Sequence, residues 1–187
     1  MKISVTGHTA GIGQAIFNHY RNLGHSVTGF SRSNGYNIAI AEDRKRIVDE
    51  SQESDIFFNN AHDWYGDNFA EVTLFENLWQ IWQGQKKIIV NISSMLVADQ
   101  RRPRSGLLYR SGKVALEDLS RFLQIENVWP QIIVIRCPLV KTRFTCEANK
   151  LLPNIMMPEE FAKIVYDSVH CPYGRQHFVD VKNIPLD

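Results

Sequence analysis

A doubly wound, Rossmann-like α/β domain with a parallel sheet is the fold class this sequence predicts, and three observations predict it. Short apolar segments rich in β-branched and aromatic residues alternate with longer stretches whose apolar residues recur every three or four positions. A glycine-rich turn follows the first apolar segment at once. The 187 residues suit one domain, so a single three-layer αβα unit over 1–187 is expected.

The first strand is read at Ile3-Ser4-Val5 and the second at Ser26-Val27-Thr28-Gly29-Phe30. Ile56-Phe57-Phe58, Ile88 to Ile92 and Ile132 to Ile135 follow as further buried strands, each short and bounded by polar residues. Between them, 11–23, 41–53, 68–83 and 108–127 have the spacing that gives a helix one face to bury. Strand and helix in alternation imply a parallel sheet covered on both sides. Gln176 to Val181 reads as the last strand, after a helix that Pro158-Glu159-Glu160 opens with proline in the first turn and acids at the positive dipole end.

Composition narrows the function classes. Hydrophobic residues make up 44% and charged residues 22%, as in ordinary globular domains. A formal charge of +1 offers no concentrated basic surface, so neither nucleic acid nor an anionic membrane is expected as partner. Cys137, Cys146 and Cys171 form no CxxC pair and the six histidines no ligand spacing, so no disulfide framework and no metal site is expected. With no signal-peptide pattern after Met1 and no membrane-length apolar run, a soluble cytoplasmic protein is the expectation.

Thr6-Gly7-His8-Thr9-Ala10-Gly11-Ile12-Gly13 lies where a dinucleotide-binding unit places its phosphate turn. Gly7 suits a tight turn, Gly11 lets the main chain approach a pyrophosphate, and Gly13 lets the next helix pack on the sheet. The helix N-terminus offers free N–H groups and partial positive charge to phosphate. The second strand ends in Phe30-Ser31-Arg32-Ser33, with no acid to hold a ribose 2′-hydroxyl. Arg32, with a serine hydroxyl beside it, suits a 2′-phosphate, so NADP(H) is the expected cofactor.

Tyr109 and Lys113 stand four apart in an expected helix and so share a face. An ammonium near a phenol favours the phenolate, which is expected to bring the tyrosine toward working range. Asn91-Ile92-Ser93-Ser94 closes the preceding strand at its carboxyl end, where open α/β sheets bind ligands, and Ser94 is placed to hydrogen-bond a substrate oxygen.

In these motifs the sequence resembles the short-chain dehydrogenase/reductase family, in its compact branch marked by TGxxxGxG, over nearly the whole chain. Asn59-Asn60-Ala61 is similar to the family's NNAG, Asn91 to Ser94 to the strand ending in its serine, and Tyr109 to Lys113 to YxxxK. The resemblance implies that Tyr109 is the general acid/base, that Lys113 also grips the nicotinamide ribose, that Ser94 orients a carbonyl, and that Asn68 holds a water in the proton relay. It further implies that Pro138, Val140 and Thr142, in a PGxVxT-like segment, meet the nicotinamide and phosphates, and that Asn37-Ile38 lies beside adenine. Asn60 and Ala61 fall to the cofactor as well. The implied activity interconverts a small-molecule carbonyl and alcohol in a homodimer or homotetramer, paired through helices 68–83 and 108–127.

Several positions depart from the family pattern. His62 replaces the glycine of NNAG, the link from Asn59 to Asn68 is short, and the third strand and its helix are abbreviated around Gly35 to Ile38. His62 reads either as a loop residue or as an active-site imidazole. The insertion before Tyr109 holds Arg101-Arg102-Pro103-Arg104, read as a solvated loop or as a receiver for an anionic substrate. Residues 143–157 offer a substrate lid. Trp64, Trp79 and Trp82 are candidates to line a pocket, and for Trp79 and Trp82, three apart on one expected helix, core or subunit interface is the competing reading. The alternative function is an NADP-binding regulator without chemistry; a nucleotide-sugar epimerase shares YxxxK but uses a different glycine pattern and a larger carboxyl-terminal region.

Overall fold

The computed structural model describes residues 1–64, 66–98, 106–126, 128–145, 155–171 and 177–182. Among these residues six strands form one parallel sheet: β1 (Lys2–Thr6), β2 (Ser26–Phe30), β3 (Ile56–Asn59), β4 (Ile88–Ser94), β5 (Gln131–Cys137) and β6 (Phe178–Asp180), in the order β2-β1-β3-β4-β5-β6. Among the described residues five α-helices link them: α1 (Gly11–Asn22), α2 (Ala41–Glu50), α3 (Ala70–Trp82), α4 (Leu107–Glu126) and α5 (Pro158–Val169). This is the Rossmann-like arrangement that the alternation implied.

Successive strand residues point to opposite faces, and each face has its own core. Ile3, Val5, Ile56, Phe58, Val90, Ile133 and Ile135 face α1 and α5, where Ile16, Tyr20, Phe161 and Val165 are buried. Phe57, Ile89 and Ile132 face the other way, onto Leu74, Leu78, Trp82, Leu116 and Leu123. Trp79 and Trp82 both belong to this second core, so of the three tryptophans that are pocket candidates only Trp64 lines the cavity beyond the carboxyl ends of β1 and β3. Among the described residues, no helix is long and apolar enough to cross a membrane.

Where an abbreviated third strand was expected, the chain forms a 3-10 turn at Arg32–Asn34, passes Gly35 at φ 87°, and runs on into α2. Asn34 closes this turn: its Oδ1 accepts from the Ser31 N–H at 2.8 Å and its Nδ2 donates to the Gly29 carbonyl at 2.8 Å. β2 is consequently an edge strand. α3 begins after Asn68, which stands in the turn before it, because the Asp67 carboxylate and carbonyl take the N–H groups of Phe69 and Ala70. Residues Arg101 to Arg104 lie outside the described residues, as does most of the 143–157 segment.

Candidate active site

The chain leaves β1 toward β2 on one side and returns to β3 on the other, so the crevice beyond the carboxyl ends of β1 and β3 is the topological switch point. A cavity of about 1420 Å³ opens there. Its floor is the glycine turn, with Gly7 at φ 71° and Gly11 at φ 55°, conformations that L side chains rarely adopt. The Thr6 hydroxyl accepts from the N–H groups of Asn60 at 2.9 Å and Ala61 at 3.0 Å, while the Asn60 side chain donates to the Thr6 carbonyl at 3.0 Å. These bonds fix the turn to the end of β3. A Cβ at Gly13 would stand 2.3 Å from the Gly7 carbonyl oxygen, so that glycine serves packing and does not line the cavity.

Arg32 lines the far end of the cavity, exposed and with no side-chain partner among the described residues. Ser31 bonds to Ser33 at 2.9 Å and to Asn34 at 3.0 Å, which holds the turn that presents Arg32. Asn37 braces the neighbouring loop, its N–H donating to Asp43 and its side-chain oxygen accepting from the Ala39 N–H. Across the cleft, Pro138, Val140 and Thr142 follow β5. The Thr142 methyl would lie 3.2 Å from a Cβ on Gly11, so this wall touches the glycine turn.

Ser94 ends β4, and its hydroxyl hydrogen-bonds the Tyr109 phenol. One turn along α4, the Lys113 ammonium lies 5.6 Å from the centre of the Tyr109 ring. It donates to the Ile92 carbonyl at 2.8 Å and to the Glu71 carboxylate at 2.7 Å. The Glu71 side chain is fully buried, and its other oxygen is 3.3 Å from His62 Nδ1. Trp64 stacks on Tyr109 with ring centres 4.6 Å apart, and His62 stands edge-on to both rings. A Cβ on Gly112 would be 2.3 Å from the Asn68 carbonyl oxygen, so α4 seats closely on the turn before α3.

The electrostatics correct one expectation. Burial pushes the Tyr109 phenol up; Lys113 and the Ser94 hydrogen bond pull it down, but Glu71 pushes up again, and the net direction is above an ordinary phenol. Glu71 offsets much of the ammonium field that was expected to acidify the tyrosine. Burial opposes the Lys113 charge, yet Glu71 and Tyr109 together hold it above the usual lysine range. Burial also pushes the Cys137 thiol up, and it donates to the Pro138 carbonyl at 3.2 Å.

Every site residue expected from the sequence lines this one cavity except Gly13 and Asn68. Glu71 was missed. Its signal was present, since Glu71 occupies the stripe of Leu74, Phe75, Leu78 and Trp82, and a lone acid on a core stripe needs a buried partner. His62 is a cavity residue packed on Tyr109, and Trp64 lines the pocket as expected.

No family model and no curated protein matches the sequence. Solved structures do match. The 3-alpha-hydroxysteroid dehydrogenase from Pseudomonas sp. B-0831, complexed with NADH, is similar at 16% identity and TM-score 0.79, over 97% of this chain and 95% of that one. A serine dehydrogenase in a closed form complexed with NADP+ is similar at 17% identity and TM-score 0.77, over 97% and 94%. A short-chain dehydrogenase/reductase of Serratia marcescens is similar at 15% identity and TM-score 0.75, over 97% and 96%. Identity this low speaks for architecture, and the architecture of this chain is the short-chain dehydrogenase/reductase fold.

Proposed function

We propose that this chain is an NADP(H)-dependent oxidoreductase that interconverts a small-molecule carbonyl and its alcohol, with Tyr109 as general acid/base. The observation that carries this reading is the convergence of Ser94, Tyr109 and Lys113 on the cavity floored by the glycine turn. That cradle fits a dinucleotide: a Cβ is excluded or strained where a pyrophosphate would pass, and the first turn of α1 lines it with N–H groups that lack helical partners. A nicotinamide cofactor bound there supplies or accepts the hydride. Arg32, with no side-chain partner among the described residues, supports NADP(H) over NAD(H).

Ser94 and Tyr109 present two hydroxyls to one substrate oxygen, fixing the carbonyl and countering charge as it develops. Tyr109 is protonated near neutral pH, the state that donates to a carbonyl oxygen gaining negative charge, and oxidation runs the same step backward. Lys113 keeps its charge beside the phenol and steadies the phenolate left after transfer. Subunit association is part of this reading, through Ile81 of α3 and Phe122 and Ile125 of α4, large apolar side chains exposed on those helices.

Tyr109→Phe should keep NADPH affinity while losing at least about 100-fold in turnover, measured as NADPH consumption against aldehydes, ketones and quinones. Unchanged turnover would discard the mechanism. The second reading, an NADP-binding regulator, is favoured by the stacking of Trp64 on the Tyr109 ring; it requires NADPH binding with no consumption across the same compounds.

A further inference from the structure

His62 takes no part in the chemistry assigned to Tyr109, Ser94 and Lys113, yet it stands against them. Its side chain is 5% exposed, it lines the cavity, and its ring centre is 4.9 Å from that of Tyr109. Nδ1 faces a Glu71 carboxylate oxygen at 3.3 Å. A carboxylate only accepts, so in the neutral imidazole Nδ1 carries the ring hydrogen and Nε2 is the acceptor. Among the described residues that nitrogen is buried and has no hydrogen-bond partner. Glu71 thus acts as a positioning residue twice, fixing the Lys113 ammonium with one oxygen and the imidazole tautomer with the other.

A buried acceptor without a partner is costly, and a site that completes such a group with its ligand rejects a ligand lacking the donor. Trp64 lines the same cavity and stacks on Tyr109 at 4.6 Å, so this wall is aromatic and suits a flat apolar ring. We infer that His62 Nε2 is a specificity-determining acceptor for a hydroxyl on the carbon next to the reacting carbonyl, in substrates whose apolar ring packs on the aromatic wall of His62, Trp64 and Tyr109. The substrate class is then aryl α-hydroxy ketones and the vicinal diols they yield. This rests on the oxidoreductase reading. In reduction the carbonyl carbon gains hydride from the nicotinamide cofactor, its oxygen gains the Tyr109 proton, and the neighbouring hydroxyl is unchanged, only donating to His62.

The test uses the full chain and two matched pairs that differ by one hydroxyl. Binding of 1-phenyl-1,2-ethanediol and 1-phenylethanol, with and without NADP+, is measured by calorimetry; reduction of 2-hydroxyacetophenone and acetophenone is measured by NADPH consumption. The diol should bind about 10- to 100-fold more tightly, with a similar ratio of kcat/KM for the ketones. His62→Phe keeps an aromatic ring against Trp64 and should bring both ratios within about threefold, with NADP+ affinity unchanged, whereas His62→Gln keeps an acceptor and should retain part of the preference. A binding ratio near one, a ratio unmoved in His62→Phe, or no binding of either alcohol overturns the inference. Selective diol binding without any NADPH consumption supports the His62 site and overturns the oxidoreductase reading instead.

Discussion

Lys113 illustrates how one buried neighbour redirects a side chain. Alone beside Tyr109, its ammonium would acidify the phenol; paired with Glu71 at 2.7 Å it presents a nearly balanced charge, and burial then sets the direction for Tyr109. Breaking such a pair by removing one partner leaves an uncompensated buried charge, which explains why the Glu71 carboxylate sits in a helix stripe that is otherwise apolar. At the other end of the cavity Arg32 has the opposite circumstances, exposed and without a side-chain partner among the described residues. Arg32→Asp should weaken NADPH binding by about tenfold or more and bring NADH to parity or better, since a carboxylate repels a 2′-phosphate and accepts from a 2′-hydroxyl. Titration of both cofactors by fluorescence checks this, and unchanged affinities would show that Arg32 does not read the phosphate.

At the scale of elements, α4 sets the site because its approach is fixed by contact at Gly112. The Asn68 carbonyl lies where a Cβ on Gly112 would fall, so Tyr109 and Lys113 reach Ser94 and Glu71 only while that position lacks a side chain. Gly112→Ala should cost about 1–3 kcal/mol of stability and displace both side chains, lowering turnover more than cofactor binding. Urea unfolding and NADPH titration separate the two effects; wild-type stability and turnover would contradict the close seating. The far sheet edge is held differently. Arg136 bonds Glu117 at 2.7 Å and Asp180 at 3.1 Å, and Arg121 and Arg136 flank the Phe178 ring, which fastens the three-residue β6 to α4.

Over the whole molecule, buried titratable groups set the pH range of stability. Cys137, Tyr20, Tyr109 and Lys113 are all shifted upward in the folded chain, so each holds its proton more tightly folded than unfolded. Their contribution is full below the ordinary values of 9.0, 10.0 and 10.5, and it falls away as pH rises past them. His170 acts at the acid end. Burial and the nearby His25 lower it from 6.5, so its contribution is present above that value and lost as pH falls. Urea unfolding should therefore show a stability plateau between about pH 7 and 9 and a decline above it. Constant stability through pH 11 would contradict the burial of these groups.

The alternation of strand and helix, the glycine turn and the order of Ser94, Tyr109 and Lys113 were legible in the sequence because local periodicity and short motifs encode them. Both faces of the sheet, the edge position of β2 and the gathering of sixteen of the eighteen expected site residues around one cavity follow from that local pattern once the strands pair. Tertiary structure alone decided the charge balance. Glu71 lies 42 residues from Lys113, and its carboxylate meets that ammonium only because α3 and α4 pack on the same face of the sheet. Asn68, placed by spacing, stands in the turn that Asp67 closes before α3 and is not among the residues lining the cavity. Spacing along a chain determines which residues share an element, whereas the direction of a pKa shift depends on burial and on charges brought close through space, which a sequence pattern does not contain.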